Sequence, residues 1–293
     1  AAGIPAGVFN LVHGHGEDIG DAIVRHAGTD KIAFTGSTAV GKAIVRAAAD
    51  DLKRVSLELG GKSPFIVCAD ADLDVAAPSA AAACFFLSGQ NCMAGTRLFV
   101  EESIAEEFEE RLVAAAATFT LGDGFAPGTM IGPVISAKQL ARVKGFIDEA
   151  ESVGARRIFG GNVPGGKGHF VEPTVFADVT PDMRLAREEV FGPVLAVQRF
   201  SQDNERELLA RVNGTTYGLS GSVWTRDIGR ALRLAKHVDS GQVGVNAHAA
   251  VSPETPFGGN KQSGWGREFG REGLDAYLKT KAVSVNLGPH LGG

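Results

Sequence analysis

One cysteine and one glutamate stand in settings that suit chemistry. Cys92 lies in the polar, glycine-containing run of residues 88–95, and Glu58 ends an apolar segment directly before Gly60 and Gly61. A thiolate is a strong nucleophile, and a carboxylate in apolar surroundings has a raised pKa that suits a general base near neutral pH. The pair would therefore support a two-stage attack on a carbonyl carbon, in which a covalent step precedes hydrolysis.

Each of these residues also has a structural interpretation of about equal weight. Cysteine commonly behaves as a small buried apolar residue. That interpretation suits Cys68 in its apolar run and Cys84 in an alanine-rich segment, whereas Cys92 has polar neighbours. Glu58 could simply face solvent at the end of a strand. From residue chemistry alone, both alternatives stay open.

Two further segments could bind a ligand. Thr35-Gly36-Ser37, with Gly41 one helical turn later, could leave a helix N-terminus free to meet a phosphate, or could be an ordinary turn and cap. The run Glu188-Glu189-Val190-Phe191-Gly192-Pro193 could bind sugar hydroxyls or form a charged turn. The seven histidines lack metal-ligand spacing, and we predict no metal site.

Alternating strands and helices must position these residues. Strands are predicted at 31–34, 54–59, 64–68, 98–101, 220–224 and 242–246, and helices at 39–49, 70–87, 104–117, 136–153, 205–212 and 228–237. Such alternation indicates an α/β fold with a mainly parallel sheet. Pro78 predicts a kink or a late start in its helix, because proline lacks the N–H of the helical hydrogen bond. Residues 281–287 alternate in polarity and are predicted to form an edge strand that pairs with another chain.

The composition is that of an ordinary globular protein. The 293 residues are 44% apolar and 22% charged, and the net charge of -5 gives no reason to expect a nucleic acid or a membrane as partner. Three widely spaced cysteines do not form a disulfide framework, which favours a cytoplasmic location. The sequence starts at Ala1 without Met or a leader pattern, and it reads as the interior of a longer protein.

Six blocks of the sequence, taken in order, resemble the aldehyde dehydrogenase superfamily, and the likeness runs from about Ala1 to Leu287. The blocks are Phe34-Thr35-Gly36-Ser37-Thr38 with Gly41; Leu57-Glu58-Leu59-Gly60-Gly61-Lys62-Ser63-Pro64; Gly89-Gln90-Asn91-Cys92-Met93-Ala94; Glu172-Pro173-Thr174-Val175; Glu188-Glu189-Val190-Phe191-Gly192-Pro193; and Pro256-Phe257-Gly258-Gly259 with Lys261, Ser263 and Gly264.

The resemblance implies NAD- or NADP-dependent oxidation of an aldehyde to a carboxylic acid. Cys92 would form a thiohemiacetal and then a thioester, and Glu58 would activate the water that hydrolyses it. The presence of Glu58 favours release of a free acid over acyl transfer to coenzyme A. The implied cofactor residues are Gly36, Ser37, Gly41, Leu59, Glu189 and Phe191. The implied substrate residues are Phe86, Asn91, Met93 and Phe257.

The resemblance also implies an architecture. It is an aldehyde dehydrogenase-like α/β fold with a partial Rossmann-type cofactor domain in residues 1–60, an α/β catalytic domain in residues 61–262, and a return to the cofactor domain with an oligomerisation strand in residues 263–293. A homo-oligomer, dimer or tetramer, would follow. Compared with typical members, about two-fifths of the length is expected to be missing upstream. The loop of residues 248–254, which lines the aldehyde entrance in the family, has no Arg or Lys, which disfavours a dicarboxylic semialdehyde. Phe86 and Phe257 would suit an apolar or aromatic aldehyde.

Two alternatives stand beside this hypothesis. The chain could be a non-catalytic truncated fragment or assembly subunit of an aldehyde dehydrogenase, without a working cofactor site. It could also retain thiol-esterase chemistry at Cys92 that needs no cofactor.

Overall fold

The computed structural model describes residues 3–286 and 288. The α-helices span Asp21–Arg25 (α1), Thr38–Ala48 (α2), Leu73–Phe85 (α3), Ala105–Ala116 (α4), Ala137–Ser152 (α5), Arg184–Arg187 (α6), Glu205–Asn213 (α7), Ile228–His237 (α8) and Gly270–Asp275 (α9). The β-strands span Lys31–Thr35 (β1), Arg54–Glu58 (β2), Pro64–Val67 (β3), Arg97–Glu101 (β4), Arg156–Phe159 (β5), Thr174–Ala177 (β6), Val194–Phe200 (β7), Ser220–Trp224 (β8), Gln242–Val245 (β9) and Gly264–Trp265 (β10).

A seven-stranded sheet forms the larger part of the described chain. Its strand order is β5-β6-β7-β4-β3-β8-β9. All neighbours pair in parallel except β5, which runs antiparallel to β6 at the edge. Helices connect most of the parallel strands, as crossover connections require. The sequence prediction of an α/β fold with a mainly parallel sheet is confirmed.

Helices cover both faces of this sheet, because successive side chains of a strand point to opposite faces. In β3, Phe65 and Val67 pack under α3 and α4, and Ile66 packs on the opposite face with apolar residues of α7 and α8. Helix α5 covers the face on which Ile66 lies, at the end of the sheet near β6, and Phe176 of β6 packs with the buried apolar residues of α5. All three central residues of β3 are fully buried, which explains the uninterrupted apolar sequence.

A three-stranded sheet of order β1-β2-β10 stands beside the larger one. Strand β1 is parallel to β2, and β10 is antiparallel to it. Helix α2 packs its residues Ile44, Ala47 and Ala48 against Ile32 of β1. Within residues 3–286 and 288, no helix combines the length and apolar character needed to cross a bilayer.

The element predictions are largely right, with differences at ends and in the middle of the chain. The six predicted strands and six predicted helices all form, within a few residues of the expected bounds. Strands β5, β6, β7 and β10 and the short helices α1, α6 and α9 were not predicted. Helix α3 starts at Leu73 and continues through Pro78 to Phe85, so a late start is wrong, and the alternative of a kink stays a prediction. Pro78 and Asp74, whose carbonyl loses its helical donor, are both exposed.

The edge strand expected at residues 281–287 is not formed in the part of the chain that the structure describes. Residues 281–286 run without regular structure, and Leu287 lies outside the described residues. A strand needs a hydrogen-bonding neighbour, and no described strand pairs with this segment.

Candidate active site

A tight turn after α3 carries Cys92. The chain leaves the helix through Leu87, Ser88 and Gly89, which have φ angles of 54°, 58° and 68°. Left-handed backbone at non-glycine residues is costly and needs support. The Ser88 hydroxyl supplies part of it, donating to the carbonyl of Gly132 at 2.8 Å. A Cβ on Gly89 would collide with the backbone of Gly192, so this turn packs directly on the segment that follows Glu189.

Asn91 orders the backbone around the thiol. Its side-chain oxygen accepts the N–H of Met93 at 3.1 Å, and its carbonyl accepts the N–H of Ala94 at 3.0 Å. Such a side-chain-to-backbone bond mimics a backbone turn. The described contacts of Asn91 are therefore those of a turn former, whereas the sequence predicted a substrate contact.

The glycines after β2 bring Glu58 and Cys92 into one site. A Cβ on Gly61 would collide with the carbonyl oxygen of Cys92, and a Cβ on Gly258 would lie 2.7 Å from Glu58 Oε1. The link between β2 and β3 therefore passes directly beneath the cysteine turn, and Glu58 lies at the start of that link. The two residues singled out in the sequence are neighbours in the fold.

Glu58 is a buried carboxyl without a partner. It is 4% exposed, and neither of its oxygens has a hydrogen-bond partner among the described residues. Burial, followed by the like charge of Glu268, raises the pKa of Glu58 to about 8, although the Arg267 guanidinium acts in the opposite direction. A carboxyl that titrates near neutral pH can both accept and release a proton under working conditions.

Cys92 is the partly accessible thiol among the three cysteines. Burial raises the pKa of its thiol, and the carboxylates of Glu189 and Glu58 add to the effect. The N–H groups of Cys92 and Met93 approach the sulfur and lower that pKa. Cys68 and Cys84 are fully buried, and burial raises the pKa of both thiols to about 12. Their interpretation as structural cysteines agrees with this.

Glu189 closes the site from the other side. Its Oε1 accepts the N–H of Gly61 at 3.0 Å, and a Cβ on Gly60 would collide with its carboxylate. Burial raises the pKa of Glu189. Helix α5 holds the segment in place, because the Gln139 amide donates to the carbonyl of Phe191 at 2.8 Å. Phe191 has a φ of 56° and is 37% exposed beside the site.

The N-terminus of α2 follows β1 of the smaller sheet. Ser37 caps the helix by accepting the N–H of Val40 at 3.4 Å, and Gly36 and Ser37 are exposed. Gly41 lies against Leu59, because a Cβ there would be 2.8 Å from the leucine methyl groups. Ser37 is therefore the helix cap that the sequence offered as one alternative, and the turn of Gly36 and Ser37 is accessible to solvent.

The remaining predicted site residues differ in solvent exposure. Phe86 is 62% exposed at the end of α3, and Phe257 is 8% exposed. The backbone of Phe257 exchanges two hydrogen bonds of 2.7 Å with Glu268, whose carboxylate influences Glu58. Met93 lies in the cysteine turn and is half-buried.

Sequence reasoning gave no role to two residues that the site depends on. Ser263 accepts the N–H of Gly218 at 3.0 Å, donates to the carbonyl of Gly60 at 2.7 Å, and receives the N–H of Leu59 on its own carbonyl at 2.9 Å. Lys62 is 1% exposed, and its Nζ has no hydrogen-bond partner in the part of the chain that the structure describes. Burial, together with nearby Arg97, lowers the pKa of Lys62 to about 7. The position of Lys62 between glycines and an apolar strand was the available signal for its burial.

Known proteins with related sequences and folds share this arrangement of elements. A sequence model described as the aldehyde dehydrogenase family matches residues 1–283. Aldehyde dehydrogenase 1A1 of Gallus gallus is 48% identical over 287 residues, which cover 98% of this chain and 56% of the relative. Betaine aldehyde dehydrogenase of Rhizobium leguminosarum bv. trifolii is 44% identical over 291 residues, covering 98% of this chain and 59% of the relative.

Solved structures give the same result. A NAD-dependent aldehyde dehydrogenase from Sinorhizobium meliloti superimposes with a TM-score of 0.95 at 43% identity, covering 98% of this chain and 57% of that one. Betaine aldehyde dehydrogenase from Staphylococcus aureus in complex with NAD+ gives a TM-score of 0.91 at 40% identity, covering 95% and 56%. The chain thus spans somewhat over half the length of these relatives.

Proposed function

Because this chain belongs to the aldehyde dehydrogenase family, we propose that it oxidises an aldehyde to a carboxylic acid with NAD+ or NADP+ as the electron acceptor. The convergence of Cys92, Glu58 and Glu189 on the Gly60–Gly61 link carries the proposal. A nucleophile, a base with a pKa near neutrality and a hydroxyl-binding carboxylate are what this oxidation requires.

Cys92 performs the covalent step. The thiol releases its proton to solvent, the resulting thiolate attacks the aldehyde carbon, a C–S bond forms, and the carbonyl electron pair moves to the oxygen. The N–H groups of Cys92 and Met93, which already approach the sulfur, are placed to stabilise negative charge in this turn, and such stabilisation is usually a large part of catalysis. A nicotinamide dinucleotide held by Ser37 and Glu189 would supply the two-electron acceptor for oxidation of the thiohemiacetal to a thioester.

Glu58 performs the hydrolytic step. Its carboxylate takes a proton from water, the water oxygen attacks the thioester carbon, and the C–S bond breaks to return the Cys92 sulfur. The pKa of about 8 suits this role, because a base works best when its pKa lies near the operating pH. No described residue donates a hydrogen bond to either carboxylate oxygen, so neither oxygen is committed to a protein donor.

The residues present fit a nicotinamide dinucleotide. The exposed turn at Gly36 and Ser37, at the N-terminus of the eleven-residue helix α2, suits a pyrophosphate. Glu189 uses Oε1 for the Gly61 amide, and its second oxygen, which no described donor occupies, suits a ribose hydroxyl. The names of the Sinorhizobium and Staphylococcus relatives state NAD dependence or bound NAD+, which supports the same cofactor class here.

We also propose the division into residues 1–60, 61–262 and 263–293. The separate three-stranded and seven-stranded sheets support it, because the smaller sheet takes its strands from the first and third segments. The preference for an apolar or aromatic aldehyde, the homo-oligomer and the cytoplasmic location stay predictions from the sequence.

A direct assay tests the proposal. The chain is mixed with NAD+ or NADP+ and an apolar aldehyde, and reduced nicotinamide is followed by absorbance. We expect turnover that is lost in Cys92→Ala and retained in Cys84→Ala, the matched control in the α3 core. Full turnover in Cys92→Ala would show that the nucleophile is wrongly assigned.

A second candidate follows from the length of the match, since the chain spans 56% of its Gallus gallus relative. This second candidate is that the chain is a non-catalytic fragment or assembly subunit that lacks a working cofactor site. Equilibrium dialysis with labelled NAD+ separates the two functions. Saturable binding supports the enzyme, and absence of binding together with absence of turnover supports the fragment.

A further inference from the structure

His248 connects the cysteine turn to the core of the larger sheet. The ring lies between Ser222 and Met93, with Nδ1 2.9 Å from Ser222 Oγ and Nε2 2.8 Å from the carbonyl oxygen of Met93. Trp224 continues the chain of contacts, donating from Nε1 to Ser222 Oγ at 3.1 Å. Ser222 and Trp224 are buried in β8.

The chemistry of the end groups fixes the proton on the imidazole. Tryptophan can only donate, so Ser222 Oγ accepts from Trp224 and has its own hydrogen left for His248 Nδ1. The Met93 carbonyl can only accept, so His248 Nε2 carries the hydrogen that it receives. The hydroxyl could also accept from a protonated Nδ1, but burial lowers the pKa of His248, so the ring is neutral and carries its hydrogen on Nε2. Both nitrogens are engaged, which excludes His248 as a proton acceptor for the thiol.

The surroundings hold the ring in one place. The Phe65 ring lies 5.7 Å away at an angle of 34°, and Phe65 in turn stacks on Trp224 at 4.9 Å. Gly95 leaves space on the other side, since a Cβ there would approach the imidazole to 3.2 Å. The Gly95 N–H donates to Ala83 of α3 at 3.0 Å, which ties the turn to the helix as well.

The bond to Met93 acts on the residue next to the nucleophile. Asn91 supports the turn from within, and His248 holds the Met93 carbonyl from outside. Asn91 holds the peptide group between Cys92 and Met93, and His248 holds the next one, between Met93 and Ala94. Together the two contacts fix both peptide groups of Met93, and with them the Met93 N–H that approaches the Cys92 sulfur.

We propose that His248 is a positioning residue for Cys92, which helps to hold the Met93 amide beside the sulfur by donating one hydrogen bond to the Met93 carbonyl. This inference rests on the proposed role of Cys92 as nucleophile. It assigns a function to a histidine that no sequence pattern singled out.

Three substitutions separate the hydrogen bond from the volume of the ring. His248→Gln keeps an N–H donor at the distance of Nε2. His248→Asn keeps a polar group beside Ser222, but it is too short to reach the Met93 carbonyl. His248→Phe keeps the ring and removes both bonds. His237→Asn, on an exposed position of α8, is the matched control.

The measurement is the rate of Cys92 alkylation by iodoacetamide as a function of pH, followed by mass spectrometry of the Cys92 peptide. The midpoint of this profile reports the pKa of the thiol independently of its accessibility, which alters the plateau instead. Glu58 and Glu189, the carboxylates that face the thiol, are unchanged in every variant. A midpoint shift thus reports the orientation of the amides.

We expect His248→Asn and His248→Phe to raise the midpoint by about 1 pH unit, because hydrogen bonds to the thiolate are weakened. His248→Gln and His237→Asn should stay within about 0.3 units of the parent, a shift worth less than one weak hydrogen bond. If His248→Phe fails to fold, the Gln and Asn variants carry the comparison. An unchanged midpoint in His248→Asn, or an equal rise in His248→Gln, would overturn the proposal.

The same profile distinguishes this inference from the function on which it rests. If Cys92 of the parent chain resists alkylation over the whole pH range, the reactive-thiol assignment fails and the positioning role fails with it. If Cys92 of the parent titrates normally and the variants match it, only the role of His248 is refuted.

Discussion

Replacing Glu58 by Gln tests the electrostatics of the buried base through stability. Glutamine preserves the shape of the side chain and cannot titrate. The pKa of Glu58 is raised from 4.5 to about 8 by burial and by Glu268. Between these two pH values the folded protein keeps a proton that the unfolded chain has lost, so the stability of the parent falls as the pH rises.

The size of this fall follows from the shift. Each pKa unit corresponds to about 1.4 kcal/mol. From about pH 5 to about pH 8, the parent should therefore lose roughly 3 kcal/mol of unfolding free energy through Glu58 alone. Glu58→Gln lacks this loss. We expect the variant to differ little from the parent near pH 5 and to be the more stable protein near pH 8.

Equilibrium unfolding in urea, monitored by tryptophan fluorescence and far-UV circular dichroism, measures the difference at both pH values. Glu110→Gln, an exposed carboxylate of α4, is the control for removing a negative charge, and its difference from the parent should stay constant. A Glu58→Gln difference that is equally constant between the two pH values would refute a raised pKa and, with it, the account of Glu58 as a base near neutrality.

Two further predictions concern Lys62 and Gly61 in the segment that joins β2 to β3. Lys62→Met should stabilise the protein by roughly 2–4 kcal/mol near pH 6, because the pKa of the buried Lys62 is lowered from 10.5 to about 7 and the folded state disfavours its charge. The gain in the thermal midpoint should shrink toward about pH 10, where the unfolded lysine also loses its proton, and a gain independent of pH would contradict the burial of the ammonium. Gly61→Ala should cost about 1–3 kcal/mol and abolish aldehyde turnover, because its Cβ collides with the Cys92 carbonyl; Gly124→Ala, where a Cβ meets open space, should preserve both stability and turnover.

The sequence predicted the elements better than it predicted their contacts. Long periodic segments such as α5 and buried strands such as β3 follow from local patterns, and they formed as expected. Strands β5 and β6 have four residues each and lie on either side of a glycine-rich stretch. Segments so short carry little periodicity.

For the candidate site too, single residues could be predicted from the sequence, whereas contacts between remote residues could not. Cys92 and Glu58 stood out because each residue type contrasted with its neighbours along the chain. The bond from Gly61 to Glu189 joins residues 128 positions apart, and the bond from His248 to Met93 joins residues 155 positions apart. No local pattern encodes such a pairing, because it arises from the packing of strands and turns that are remote in the sequence.

Among its described hydrogen bonds, Ser263 has none to the Cys92 sulfur or the Glu58 carboxylate. These bonds nevertheless connect the two sheets. The Ser263 hydroxyl and carbonyl hold Leu59 and Gly60, which extend β2 of the smaller sheet, and the same hydroxyl holds Gly218, which leads into β8 of the larger one. Cys92 lies in the turn before β4 of the larger sheet, and Glu58 ends β2 of the smaller one. Asn260 and Gln262 add bonds from their N–H groups to the carbonyls of Gly218 and Thr216. This short run of residues therefore helps to set the spacing between Cys92 and Glu58, and sliding of one sheet over the other would change that spacing.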